Sequence, residues 1–246
     1  MFKNNMSNNY FRFKQFVVYQ DKAAMKVCTD ACLFAAWVTE KMQNEKVKIE
    51  NILDIGTGTG LLSLMLAQKL EAKIDAVEID EQAAQQAKEN FEASPWSGRI
   101  SVYNSSIQQF NSTTAYDIII SNPPFFEQSL RSTNEQKNVA KHSGSLPANE
   151  LLRVVNTLVN PEGIFAILLP YFEFKKFELI AKEKQLHLVQ KTDIRQTPSH
   201  SFFRSMGIFS KQISWQQNCE AICIKDYDNQ YTACFKNLLK DYYLHI

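Results

Sequence analysis

Asn51-Ile-Leu-Asp-Ile-Gly56-Thr-Gly58-Thr-Gly60 is the stretch on which the fold turns. A short apolar run, Asn51 to Ile55, ends at a turn with glycine at every second position, and the apolar segment Leu61 to Leu70 follows. A brief apolar run bounded by glycines reads as a buried strand, and the longer apolar segment after it as a helix. Glycine lets the turn adopt backbone angles closed to other residues and lets a ligand approach where a Cβ would collide. The pattern is Gly-x-Gly-x-Gly. A dinucleotide fingerprint needs its third glycine three places after the second, where this chain has Leu61.

Outward from that turn, strands and helices alternate. Lys73 to Ile79 reads as a second strand, Glu81 to Ala93 as an Ala-rich helix, Ile100 to Tyr103 as a third strand, and Tyr116 to Ile120 as a fourth. A polar stretch, Glu127 to Ser145, precedes a helix over Pro147 to Val159, a strand over Gly163 to Leu169 and a helix over Glu173 to Lys184. Leu188 to Arg195 and Ile208 to Trp215 read as an antiparallel pair with a long connection, and Tyr231 to Tyr243 as a final helix. Upstream, Asp30 to Met42 reads as an amphipathic helix with Thr29-Asp30 at its cap. The alternation predicts an α/β fold: a doubly wound, mostly parallel sheet with a C-terminal antiparallel strand pair. In such sheets ligands bind at the carboxyl ends of the strands. Every chemically suggestive segment here lies just past a strand.

The second strand closes on Glu78-Ile79-Asp80, about twenty residues past the glycine turn, where a carboxylate can accept both hydroxyls of an adenosine ribose. The fourth strand runs into Ser121-Asn122-Pro123-Pro124-Phe125. An exocyclic amine on a planar ring donates its lone pair into the ring and is a weak nucleophile. An amide oxygen from Asn122 and a neighbouring backbone carbonyl, both accepting its N–H bonds, would localise and aim that lone pair. Consecutive prolines fix φ and remove donors, so the turn is rigid and presents carbonyls. Phe125 would stack on the target ring. A rigid turn capping a strand is the bland alternative for the same four residues.

Composition sets bounds. At 246 residues with 45% hydrophobic content, the chain can bury one large core with small terminal additions. No apolar run approaches a membrane span, and Met1 to Tyr10 is polar and Asn-rich, so a cytoplasmic location is expected. The net charge of +1 hides an asymmetry: residues 51–130 carry four Lys/Arg against ten Asp/Glu, while both flanks are basic. Basic flanks suit a phosphate-bearing partner and equally an ordinary solvated surface. Five cysteines leave an odd count, and the Cys28/Cys32 and Cys219/Cys223 spacings are read as buried small side chains rather than zinc ligands. No metal is expected.

Across nearly its whole length the chain resembles the bacterial tRNA adenine-N6 methyltransferases that modify the adenosine 3′ of the anticodon in a valine tRNA. The resemblance rests on Phe11-Arg-Phe-Lys-Gln-Phe16, on Met25-Lys-Val-Cys-Thr-Asp30, on the glycine turn, Glu78 and Asn122-Pro-Pro-Phe125, and on Ala140-Lys-His-Ser143 and Pro198 to Arg204. It implies a Rossmann-like class I methyltransferase domain over residues 1–246, with residues 1–48 as an extension toward substrate and cofactor. The implied cofactor is S-adenosylmethionine, held by Asp54, Gly56, Gly58, Gly60, Glu78, Ile79 and Ser106, with Lys26, Thr29 and Asp30 closing over it. Helix capping is the other reading of Thr29-Asp30. The implied catalytic group is Asn122, Pro123, Pro124 and Phe125; the implied partner is tRNA, met by a monomer. Lys141 and His142 would touch phosphate or order their loop. Phe11, Phe13 and Phe16 read as packing, and Arg12 and Lys14 as RNA contacts. One departure stands out: where related enzymes place an aspartate after the third strand, this chain has Asn104-Ser105-Ser106. The same tetrapeptide would also serve a protein glutamine, an rRNA or a DNA adenine, and a cofactor-binding protein without activity is the remaining alternative.

Overall fold

The structure is a computed structural model that describes residues 8–23, 25–44, 48–124, 146–212 and 218–246. Its centre is an eight-stranded sheet. In chain order the strands are β3 (Asn51–Ile55), β4 (Lys73–Glu78), β5 (Ile100–Asn104), β6 (Tyr116–Ser121), β7 (Val159–Pro170), β8 (His187–Arg195), β9 (Phe202–Ser210) and β10 (Asn218–Cys223). A separate N-terminal hairpin pairs β1 (Tyr10–Arg12) with β2 (Val17–Tyr19). The helices are α1 (Thr29–Asn44), α2 (Leu61–Ala67), α3 (Glu81–Glu92), α4 (Ala148–Leu158), α5 (Tyr171–Glu183) and α6 (Ala233–Leu239).

Strand order is β10-β8-β9-β7-β6-β3-β4-β5, and β9 alone runs against its neighbours. The apolar runs form strands because successive side chains enter different cores. Ile52, Ile118, Ile120, Ile164, Ala166 and Leu168 pack with residues of α1, α2, α3 and α6 on one face. Their neighbours Leu53, Ile55, Ile119, Phe165, Ile167 and Leu169 pack with α4 and α5 on the other. A strand buried on both faces has no polar alternation to show, so it reads as a continuous apolar run. Arg99 closes the end of α2, its guanidinium donating to the carbonyls of Ala67, Leu70 and Ala72, each at 2.9 Å.

The N-terminal aromatics pack, as expected. Phe13 and Phe16 are buried and stacked at 4.5 Å, and Phe16 meets Trp96 edge-on. Lys14, read as an RNA contact, is engaged within the fold: its Nζ donates to the Lys240 carbonyl at 2.5 Å and its backbone N–H to that of Tyr242 at 2.8 Å.

Two expectations need correction. The late antiparallel strand is Phe202–Ser210, starting at Phe202 rather than Ile208, and a short turn joins it to β8; Ile213 to Trp215 lie outside the described residues. The sequence signal there was weak because Arg204 and Ser205 interrupt the apolar run. Arg204 is satisfied by Asp30 at 2.9 Å, and Ser205 Oγ by Asp193 at 2.5 Å. Cys219 and Cys223 do lie on a strand, but Cys219 is exposed and Cys223 half-buried, because β10 is the sheet's edge. Cys32 is buried, as expected, whereas Cys28, one turn ahead of it, is only half-buried. Among the described residues no helix is long and apolar enough to cross a membrane, and no group of three or more His, Cys, Asp or Glu side chains converges as a metal site.

Candidate active site

The chain leaves β3 toward β4 and β5 on one side and returns to β6 on the other, so the carboxyl ends of β3 and β6 flank the point where strand order reverses. That is where open α/β sheets bind ligands. Register aligns the candidate groups: Ile55 lies beside Val77 and Ser121, and Glu78 beside Asn104. Gly56, Glu78 and Asn122 therefore leave three adjacent strands at one edge. Ser121 ties the reversal point together, its Oγ donating to the Ile55 carbonyl at 2.8 Å.

A cavity of about 460 Å³ opens there, within the range of small-molecule sites. Its wall includes Gly56, Gly58, Glu78, Ile79, Ser106, Asn122, Pro123 and Pro124, all foreseen. Asp80 and Ser105, which the sequence reading named beside Glu78 and Ser106, are there too, with Ala23, Met25, Ile107 and Gln108, which were not expected as cofactor contacts. Gly56 and Gly58 have φ of +73° and +56°, and a Cβ on either would meet nothing within 4 Å. Both glycines line the cavity, so the turn can let a ligand sit against backbone.

Glu78 is buried and holds this turn. One carboxylate oxygen accepts the Gly58 N–H at 2.8 Å and the other the Asp80 N–H at 3.0 Å. Each oxygen keeps a second lone pair for a hydroxyl facing the cavity. Asn104, at the position of the absent aspartate, is occupied: its amide donates to the carbonyls of Glu78 and Ile79 at 3.0 and 3.2 Å. Ser106 is the polar side chain of that trio left on the cavity wall alongside Ser105, whose hydroxyl donates to the Ser106 carbonyl.

Several foreseen residues lie elsewhere. Asp54 sits fully buried beneath the turn, accepting the hydroxyls of Thr57 at 2.6 Å and Ser63 at 2.7 Å on one oxygen. It shapes the turn from below and is not part of the cavity wall. Gly60 also stands off the wall: at φ +82°, a Cβ there would lie 2.3 Å from the Phe91 ring. Its glycine makes room for the Phe91 ring of α3 at the start of α2. Lys26 and Thr29 do not line the cavity, and Asp30 is paired with Arg204; Met25 and Ala23 take the place expected of them. Phe125, Lys141 and His142 lie outside the described residues.

Two stability predictions follow. Alanine at Gly60 combines left-handed strain with overpacking against Phe91, an expected loss of about 3 kcal/mol. Chemical denaturation checks it, and a loss under about 1 kcal/mol would contradict it. Asp54 is the second case. Burial pushes its carboxyl up to about 6, against the pull of its two hydroxyl partners. The folded state thus holds a proton that the unfolded state, titrating near 3.8, releases first. Wild-type stability should therefore fall, relative to Asp54→Asn, as pH rises from about 4 to about 6, and the difference should then stay constant. The full swing is on the order of 3 kcal/mol. A stability difference flat across that window would show that Asp54 is not titrating in this way.

The sequence profile of the family described as "Methyltransferase small domain" matches residues 35–190. The tRNA1(Val) (adenine(37)-N6)-methyltransferase of Flavobacterium psychrophilum is 40% identical over 239 residues, covering 95% of this chain and 99% of the relative. Its namesake from Dyadobacter fermentans is 46% identical over 205 residues, 83% of each chain. The chain belongs to this methyltransferase family. A solved structure titled as a predicted O-methyltransferase from Agrobacterium tumefaciens superposes with a TM-score of 0.66 at 17% identity, covering 86% of this chain and 96% of that one. That likeness speaks for the fold: Rossmann-like, class I.

The methyltransferase uses S-adenosylmethionine as methyl donor, and the cavity fits it. The open cradle over Gly56 and Gly58 takes a ligand that needs backbone contact, and Glu78 on the wall suits a ribose diol. Ile79, which is 61% exposed, and Ile107 give apolar surface for a flat base. Ile79 was expected at the cofactor from its place directly after Glu78; its exposure comes from the structure.

Proposed function

We infer that the protein methylates N6 of the adenosine 3′ of the anticodon in a valine tRNA. The observation that carries this is Asn122-Pro123-Pro124 on the wall of the cavity that Gly56, Gly58 and Glu78 prepare for the cofactor. The names of relatives aligned over 95% and 83% of this chain supply the acceptor.

S-adenosylmethionine brings an electrophilic methyl group on a sulfonium. Around it the chain's groups have separate tasks. Glu78 and the glycine turn would hold the nucleoside end; Ile79 and Ile107 would flank its base, and Ser105 and Ser106 would offer hydroxyls at its edge. Asn122 accepts one N–H of the target amine through its amide oxygen, and the carbonyl of Pro123 accepts the other. These two contacts turn the nitrogen lone pair out of conjugation and aim it at the methyl carbon. Attack by this nitrogen would form the N–C bond as the donor's C–S bond breaks, and the nitrogen would then release its proton to water. The target base must be splayed from its loop to reach the cavity, as chemistry on a base within RNA requires. The segment ahead of α1 borders this opening through Ala23 and Met25, while α1 itself packs into the sheet's core. We take the working form to be a cytoplasmic monomer.

Nucleoside mass spectrometry of tRNA from a strain lacking the gene tests the reading. Loss of N6-methyladenosine from the valine tRNA, restored by the wild-type gene, is the expected result. An unchanged content would reassign the acceptor to protein, rRNA or DNA.

A further inference from the structure

The carboxyl edge that carries Asn122 continues past β6 into β7, β9 and β8, and the tips of those strands hold a row of rings and a cation. Pro170 at the end of β7 lies beside Arg204, and Phe202 at the start of β9 beside Arg195 at the end of β8. Phe172, in the first turn of α5, is 84% exposed. Its ring meets Tyr171 edge-on at 5.6 Å; Tyr171 meets Phe202 at 5.5 Å; and the Arg195 guanidinium stands 5.5 Å over the Phe202 ring. A lone exposed phenylalanine needs no explanation, but a contiguous row ending in a cation beside an active site does.

The charges narrow what the row can hold. Lys191 lies over the Tyr171 ring but is already paired with Asp193 at 2.9 Å. Arg195 gives one N–H to the Pro198 carbonyl at 3.2 Å and has no carboxylate partner among the described residues. Aromatic rings interleaved with an uncompensated guanidinium match single-stranded nucleic acid: bases stack on the rings and phosphate meets the cation. Strands sit about 4.8 Å apart, so the row starts one strand from β6 and ends three strands away, within reach of nucleotides next to a base in the cavity.

We propose that Phe172, Tyr171, Phe202 and Arg195 form a stacking platform for the anticodon-loop nucleotides flanking the target adenosine. This rests on the tRNA reading above and adds the surface that would select a loop over a free base. Phe172→Ala is the sharpest probe, because so exposed a ring contributes little to folding. Steady-state methylation of unmodified valine tRNA should show KM for tRNA raised about tenfold, with kcat and the KM for S-adenosylmethionine nearly unchanged; Phe172→Trp should restore it. For Arg195→Gln, the salt dependence of tRNA binding should fall by about one unit of log–log slope. Methylation by the wild type with both variants behaving like it would overturn the platform and leave the function standing. No methylation of tRNA by the wild type would overturn both.

Discussion

Asn122→Ala yields a folded protein that binds S-adenosylmethionine as the wild type does but methylates roughly 100 to 1,000 times more slowly, the scale seen when one preorganised acceptor or donor is removed at a reacting centre. The reasoning is local. Asn122 lies past the last residue of β6, half-buried on the cavity wall, and ligand-facing elements on β3 and β4 do not depend on it. Removing its amide takes away an acceptor that a weakly nucleophilic amine needs, so the loss falls on kcat rather than on cofactor affinity. Single-turnover kinetics with saturating cofactor, beside calorimetric titration of the cofactor, separate the two. An unchanged chemical rate would remove Asn122 from the mechanism.

Glu78→Gln produces the complementary loss. In the wild type both carboxylate oxygens are engaged by backbone N–H groups, at Gly58 and Asp80, while facing the cavity. A glutamine turns an NH₂ toward one of those donors, so the glycine turn loses an anchor as the ribose loses an acceptor. Hydrogen bonds to a charged group are worth about 1.5–3 kcal/mol, which places the expected rise in cofactor Kd at roughly 10- to 100-fold. The chemical rate at saturating cofactor should change much less. A Kd within about twofold of wild type would mean that Glu78 serves the turn alone.

Much of this site was legible before any coordinates, and the particular misses have physical causes. The doubly wound sheet and the convergence of Gly56, Glu78 and Asn122 followed from apolar runs and glycine spacing, because short-range signals suffice to order βαβ units. Asp54 and Gly60 share the motif with Gly56 and Gly58, yet one supports the turn from beneath and the other makes room for Phe91. Spacing cannot tell a residue that meets ligand from one that shapes its neighbour. Lys26 and Thr29 were expected at the cofactor from the family resemblance, while the apolar Met25 and Ala23 reach the cavity; only tertiary packing of the N-terminal segment decides which. The start of β9 was missed because Arg204 and Ser205 are polar residues satisfied by distant partners, Asp30 and Asp193. Cys219 looked buried because an edge strand carries the same local pattern as an inner one.

Transfer in vitro shows whether one nitrogen on one base receives the methyl group. Purified protein and methyl-labelled S-adenosylmethionine are incubated with an unmodified valine tRNA transcript and with a transcript carrying guanosine at the adenosine 3′ of the anticodon. The account predicts label in the first, recovered as N6-methyladenosine at that position, and none in the second. Equal labelling of both transcripts, or none in the first, would contradict it.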